Sequence, residues 1–86
     1  MSQTFCFSVQ ADAAPSTLPR VLDVFALFGH VPDHSYSRLA GPAEMVVDVQ
    51  MSGLDPETAE RIAGKLGRIV SVGSVLWSEK RSVAAA

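Results

Sequence analysis

The chain has a single cysteine, Cys6, so it can form no internal disulfide and no cysteine-based zinc site. Asparagine is missing altogether, and the six glycines are scattered singly, which excludes a glycine-rich phosphate loop. Apolar runs are short. Val24-Phe25-Ala26-Leu27-Phe28 falls far below the length that crosses a bilayer, so no membrane partner is expected. Positive charge is scarce as well: seven Lys and Arg stand against nine Asp and Glu, a formal net charge of −2. Phosphate neutralisation needs clustered positive charge, so no nucleic-acid partner is expected. No basic residue in Met1-Ser2-Gln3-Thr4 precedes an apolar stretch, so a secretory signal is not expected and the chain reads as cytoplasmic.

What is present is an apolar, foldable composition. Hydrophobic residues make up 48% of the 86 positions and charged ones 19%, far from the signature of disorder. A domain this small buries only about 60–65% of the surface its unfolded chain exposes. With disulfides excluded, a partner subunit is the stabiliser to expect.

Thr4 to Gln10 alternates, with Phe5, Phe7 and Val9 on one face and Cys6, Ser8 and Gln10 on the other, which predicts a half-buried strand. Ala11 to Pro15 breaks the pattern and predicts a loop. Ser16 or Thr17 can cap a helix with Pro19 in its first turn, and Leu18, Val21, Leu22, Phe25 and Phe28 follow helical spacing up to Gly29. Val24 and Leu27 widen that stripe, which implies a second contact covering them. After Pro32, Asp33–Leu39 reads as an edge strand, followed by a turn at Ala40–Ala43. Glu44–Met51 alternates again. Asp55, Pro56 and Glu57 then start a helix with the stripe Ala59, Ile62, Ala63 and Leu66, ending at Gly67. Ile69–Trp77 predicts the last strand, with Gly73 marking a bulge. The expectation is one domain over residues 1–78 and a flexible tail over 79–86. The order β-α-β-β-α-β predicts an α+β ferredoxin-like sandwich: a four-stranded antiparallel sheet with both helices on one face.

Sites of chemistry are few. His30 and His34 flank Asp33, but Pro32 favours an extended segment, where four residues span about 13 Å, too far for one metal. Neither a metal nor a cofactor is expected. No glycine-framed nucleophile elbow surrounds a serine, and Cys6 has no basic neighbour. An acylphosphatase-type enzyme would suit the fold, but its chemistry wants an arginine in the first loop and an asparagine nearby; Arg20 lies past the helix start. No catalytic residue is therefore assigned. Trp77 and Tyr36 could stack bases on an open sheet, yet two aromatics on opposite edge strands of an acidic chain fit a subunit contact better. The loop Ala13-Ala14-Pro15-Ser16-Thr17 feeds a helix N-terminus, whose free N–H groups can hold a carboxylate. An ordinary capped helix is the plainer account.

The run Pro15-Ser16-Thr17-Leu18-Pro19-Arg20-Val21, then Phe25 and Gly29, resembles the first loop and helix of an ACT domain. Ala63, Leu66, Ile69, Val72 and Val75 resemble the ending of the short small regulatory subunits of acetolactate synthase, and agreement runs from Phe5 to Trp77. The resemblance implies a non-catalytic regulatory domain of branched-chain amino-acid biosynthesis. In that family a separate large subunit carries the thiamine diphosphate chemistry, and the small one raises its activity and can transmit amino-acid inhibition. It further implies a homodimer in which edge strands or first helices meet, with Val24, Leu27 and Tyr36 at the dimer or partner interface. A branched-chain amino-acid effector would lie at a dimer interface, against Ala13, Ala14, Pro15, Ser16, Thr17 and Leu18, with Val31 and Pro32 near its side chain. Three positions depart from the family pattern: Ser16 replaces a glycine, Val31 an asparagine, and Ala13 a polar residue. An effector site altered at these points is compatible with the family, whose short members include some insensitive to feedback. The alternative is a stand-alone amino-acid sensor or interaction module unrelated to acetolactate synthase.

Overall fold

The computed structural model describes residues 3–80. The elements follow in the order β1 (Gln3–Asp12), α1 (Thr17–Leu27), β2 (His34–Leu39), β3 (Glu44–Leu54), α2 (Pro56–Leu66) and β4 (Val72–Lys80). The strands form one antiparallel sheet in the order β2-β3-β1-β4. This is the expected βαββαβ ferredoxin-like sandwich. Each βαβ half crosses over one intervening strand, and the common handedness of crossovers puts both helices on one face.

Alternation decides what each strand buries. Phe5, Phe7, Val9 and Ala11 of β1 and Val47, Val49 and Met51 of β3 point under the helices and are buried. α1 contributes Val21, Val24 and Phe25, and α2 contributes Ala59, Ile62 and Leu66. Phe7 and Phe25 meet edge to face at 5.4 Å between ring centroids, which ties α1 to the central strand. Arg61 of α2 lies over the Phe28 ring, 5.6 Å from its centroid, at the contact between the helices.

Several boundaries move from those predicted. β1 extends to Asp12, because Ala11 and Asp12 stay in register with Met45 and Glu44 and Ala11 faces the core. β3 runs three residues beyond Met51, to Leu54, which is itself buried. β2 opens at His34 rather than Asp33. β4 starts at Val72, since Ile69 to Ser71 are held in a turn by bonds such as Ile69 N–H to Leu66 O and Val72 N–H to Ile69 O. Gln10 faces Ser74 while Ala11 faces Val72, so Gly73 is the extra residue of a bulge, as predicted. β4 then continues through Lys80, which places Glu79 and Lys80 of the expected tail in a strand; residues 81–86 lie outside the described residues.

The two helices end differently. α1 closes with Gly29 N–H bonded to Ala26 O and His30 N–H to Phe25 O, a Schellman arrangement that needs the left-handed φ of +76° at Gly29. α2 stops at Gly67 with φ −66°, an ordinary right-handed residue.

Candidate effector loop and partner surface

Four residues join β1 to α1, and the polypeptide around them is held at both ends. Asp12 N–H bonds Ser71 O, Ala13 N–H bonds Ala43 O, and Ala14 N–H turns back to Asp12 O. Thr17 is fully buried; its Oγ1 donates to Asp12 O at 2.8 Å and lies 3.1 Å from Ser71 Oγ, whose own proton completes the pair. One threonine thus joins the end of β1, the start of α1 and the turn before β4. The capping role expected of Thr17 is not what it does: its hydroxyl points back to the strand and does not cap the helix.

Ser16 occupies the N-cap position with φ −84° and ψ −9°, and its side chain makes no capping bond. A right-handed backbone there turns the hydroxyl away from the first-turn donors. Thr17 N–H goes to Ala14 O, Arg20 N–H to Ser16 O, and Pro19 has none. Among the described residues this leaves the Ser16 and Leu18 N–H groups without a partner, at the positive end of an eleven-residue helix. Ala13, Ala14 and Leu18 are half-buried, while Pro15 and Ser16 are exposed.

Val31 and Pro32 are not part of this loop's surroundings. They follow the C-terminal end of α1, and the helix separates them from Ser16 by about 16 Å. Within one chain the two groups sit at opposite ends of α1, so an effector at a dimer interface would meet both sets only across two chains. Val24 is corrected. It is 6% exposed and belongs to the core, so no partner is required to cover it.

Leu27 keeps its place on the outside. α2 packs over β4 and β1 and touches α1, whose Phe25 reaches Phe7 of β1. Leu27 is 72%, Val31 86% and Leu39 72% exposed; Leu27 and Val31 lie at the C-terminal end of α1, whereas Leu39 pairs with Met45 at the end of the sheet where β1 feeds the loop. Tyr36 is exposed on β2, opposite Asp48 and therefore on the uncovered face of the sheet. Trp77 lies opposite Phe7, on the helix face, and stacks on it with the rings 21° from parallel. Tyr36 and Trp77 are thus separated by the sheet itself and form no common platform for bases.

The uncovered face carries a shallow groove of about 410 Å³ whose lining includes Cys6, Ser8, His34, Asp48, Gln50 and Leu76. The alternation of β1 places Cys6 and Ser8 on that face, but only the strand order brings His34 and Leu76 to its two sides. Cys6 Sγ lies 3.9 Å from Gln50 Oε1, a weak sulfur contact. Asp33 accepts a hydrogen bond from Ser52, so the residue between the two histidines is engaged within the fold.

A family model for an ACT-like domain matches residues 2–84. The chain belongs to the ACT-like domain family. ACT domains are regulatory, non-catalytic modules that often dimerise and bind amino-acid effectors, and no catalytic family is indicated. A search of curated proteins found no sequence relative. Solved structures share the fold at low identity. The ACT domain from GTP pyrophosphokinase of Chlorobium tepidum superposes with a TM-score of 0.79 at 9% identity, over 91% of this chain and 100% of that one. The C-terminal domain of the MgtC protein from Mycobacterium tuberculosis gives 0.74 at 15%, over 98% and 94%. The regulatory subunit of aspartate kinase from Thermus thermophilus, in its ligand-free form, gives 0.70 at 10%, over 88% of this chain and 50% of that subunit. Among the described residues, no helix is long and apolar enough to cross a membrane.

Proposed function

We propose that this ACT domain is a regulatory subunit of a larger catalytic enzyme, and that the enzyme is acetolactate synthase. The observation that carries the first part is what α1 and β2 expose. A domain with a complete core still exposes Leu27, Val31, Tyr36 and Leu39 on α1, β2 and the segment that joins them. Large apolar side chains that a finished core leaves in solvent favour a protein–protein contact. The second part rests on the helix-to-strand ending, Ala63, Leu66, Ile69, Val72 and Val75, which resembles that of the short acetolactate synthase subunits.

An amino-acid effector would place its carboxylate at the Ser16 and Leu18 N–H groups, where donors and helix dipole favour an anion. Val31 and Pro32 can meet that ligand only from a second chain, given their place at the far end of α1. Binding would regulate the enzyme to the extent that the ligand prefers one assembled state over another.

The test is a pull-down of the thiamine diphosphate-dependent large subunit by the tagged chain, with turnover measured on the complex. Capture with raised turnover, weakened by Leu27→Lys, supports the proposal. Absence of capture together with calorimetric binding of valine, leucine or isoleucine instead favours a stand-alone sensor.

A further inference from the structure

Cations are scarce in this chain, yet three of its seven Lys and Arg fall close together, at Arg61, Lys65 and Arg68. Steps of four and three residues set them along one side of α2 and the turn that continues it. Like charges so placed repel one another and weaken a helix. Lys65 has a local reason to be there, because it lies in the last turn of α2, where a cation complements the helix dipole. Arg61 stands well before that turn. Its guanidinium is held over the Phe28 ring, which fixes the planar group against the end of α1.

The three cations line one hollow of about 250 Å³, together with Phe28 and Gly64. No carboxylate is among these residues. Asp55 attracts Arg61 from the far end of α2, but its oxygen accepts the Thr58 N–H and it lies outside the hollow. Glu57 and Glu60 stand one turn before Arg61 and Gly64 and are outside it as well. Gly64 has no packing reason to be glycine. It is exposed in the body of α2, its φ is not positive, and a Cβ there would meet nothing within 4 Å. Glycine weakens a helix interior relative to alanine, so the position gives up stability. What the missing side chain provides is the open floor between Arg61, Lys65 and Arg68.

We propose that this hollow binds a compact phosphate group, inorganic or carried by a small metabolite. The guanidinium forks of Arg61 and Arg68 can each meet two phosphate oxygens, and Lys65 adds a point charge. Bound phosphate offsets the repulsion among the three cations. The volume is below the roughly 300–1,000 Å³ of sites that enclose a whole drug-sized ligand, so the body of a phosphorylated metabolite would extend past Phe28 into solvent. Three cations on an acidic chain fall short of the extended positive surface that a nucleic-acid backbone needs. Phe28 follows the end of α1 remote from Ser16, so the site is separate from the effector loop and does not rest on the proposed function.

The test is calorimetric titration of the full chain with inorganic pyrophosphate. Binding that weakens as sodium chloride rises is expected, with the amide resonances of Gly64 and Arg68 shifting and those of Ser16 and Leu18 unmoved. Arg61→Gln and Arg68→Gln are each expected to weaken binding by about tenfold, and Arg38→Gln, on β2, to leave it unchanged. Gly64→Gln separates binding from folding: it is expected to raise the melting temperature and to lower affinity severalfold by filling the floor. A nucleoside diphosphate that binds no tighter than pyrophosphate assigns the site to the phosphate alone, and tighter binding assigns it to a phosphorylated metabolite. No heat with millimolar pyrophosphate, heat that survives both arginine variants, or shifts confined to Ser16 and Leu18 would overturn the assignment. Binding of polyglutamate without binding of pyrophosphate would overturn it in favour of an acidic protein segment.

Discussion

The two helices of this domain begin in opposite ways. α2 starts by purely local means: Asp55 Oδ1 accepts the Thr58 N–H at 2.7 Å, Pro56 supplies a preset φ, and Glu57 adds negative charge in the first turn. α1 starts by tertiary means. Ser16 makes no side-chain cap, the first turn holds no acidic residue, and Thr17 anchors the helix through contacts with β1 and the turn before β4. α2 engages its Thr58 N–H with its own Asp55 side chain, whereas among the described residues no side chain engages the Ser16 and Leu18 N–H groups at the start of α1.

Removing the tertiary anchor is the strongest way to break this contrast. Thr17→Val keeps the volume and deletes a buried hydroxyl that joins two carriers of structure, Asp12 O and Ser71 Oγ. A loss of about 1–3 kcal/mol is expected from denaturant unfolding, with Thr17→Ser recovering much of it. The helix ends give the next comparison. Gly29→Ala forces a side chain to φ +76° and is expected to cost about 1–2 kcal/mol. Gly67→Ala at φ −66° is expected to be neutral or slightly stabilising in the same melt, as an added Cβ there meets only carbonyl oxygens at 3.6 Å.

The third prediction concerns pH. Hydrogen bonding from the Thr58 backbone N–H, then from its side chain, holds the Asp55 carboxyl below its ordinary range, with Arg61 and His30 adding attraction. A carboxyl lowered on folding contributes stability above the unfolded value, and that contribution is lost as pH falls through the folded one. The melting temperature of Asp55→Ala is therefore expected to lie below that of the native chain at neutral pH, and the gap to close below about pH 4. A gap that widened in acid would refute the local-cap account. The smallest expected effect is that of Ser16→Asp. A carboxylate at the bare end of α1 is expected to stabilise the helix by about 0.3–1 kcal/mol and, by placing negative charge beside the free donors, to weaken calorimetric binding of any amino-acid carboxylate there.

How far the fold could be read from sequence follows the same division. Alternating Phe5, Phe7 and Val9, and Asp55-Pro56-Glu57 before a helical stripe, are patterns that mean one thing wherever they occur, and those elements stand as predicted. Boundaries moved where pairing outlasted local preference. Ala11 and Asp12 look like loop but are held by β3, and Ile69 looks like strand but is held in a turn after α2. The candidate loop was legible as the start of a helix, and family resemblance alone raised it above an ordinary capped helix. Its chemistry lies in unpaired backbone groups, and these carry no residue signature. Val24 shows the opposite failure: a helical stripe wider than one face suggested a partner, but α1 is covered from two directions within its own domain.

The order of elements, the identity of the buried strand faces and the helix stops were set by side-chain periodicity and by glycine and proline, all of which act over a few residues. Which end of α1 remains open, the separation of Val31 from the loop, the opposite faces of Tyr36 and Trp77, and the presence of two unlike edges were decided only when β1 took the place between β3 and β4. Those properties depend on pairings between residues far apart in the chain, and no local pattern encodes them.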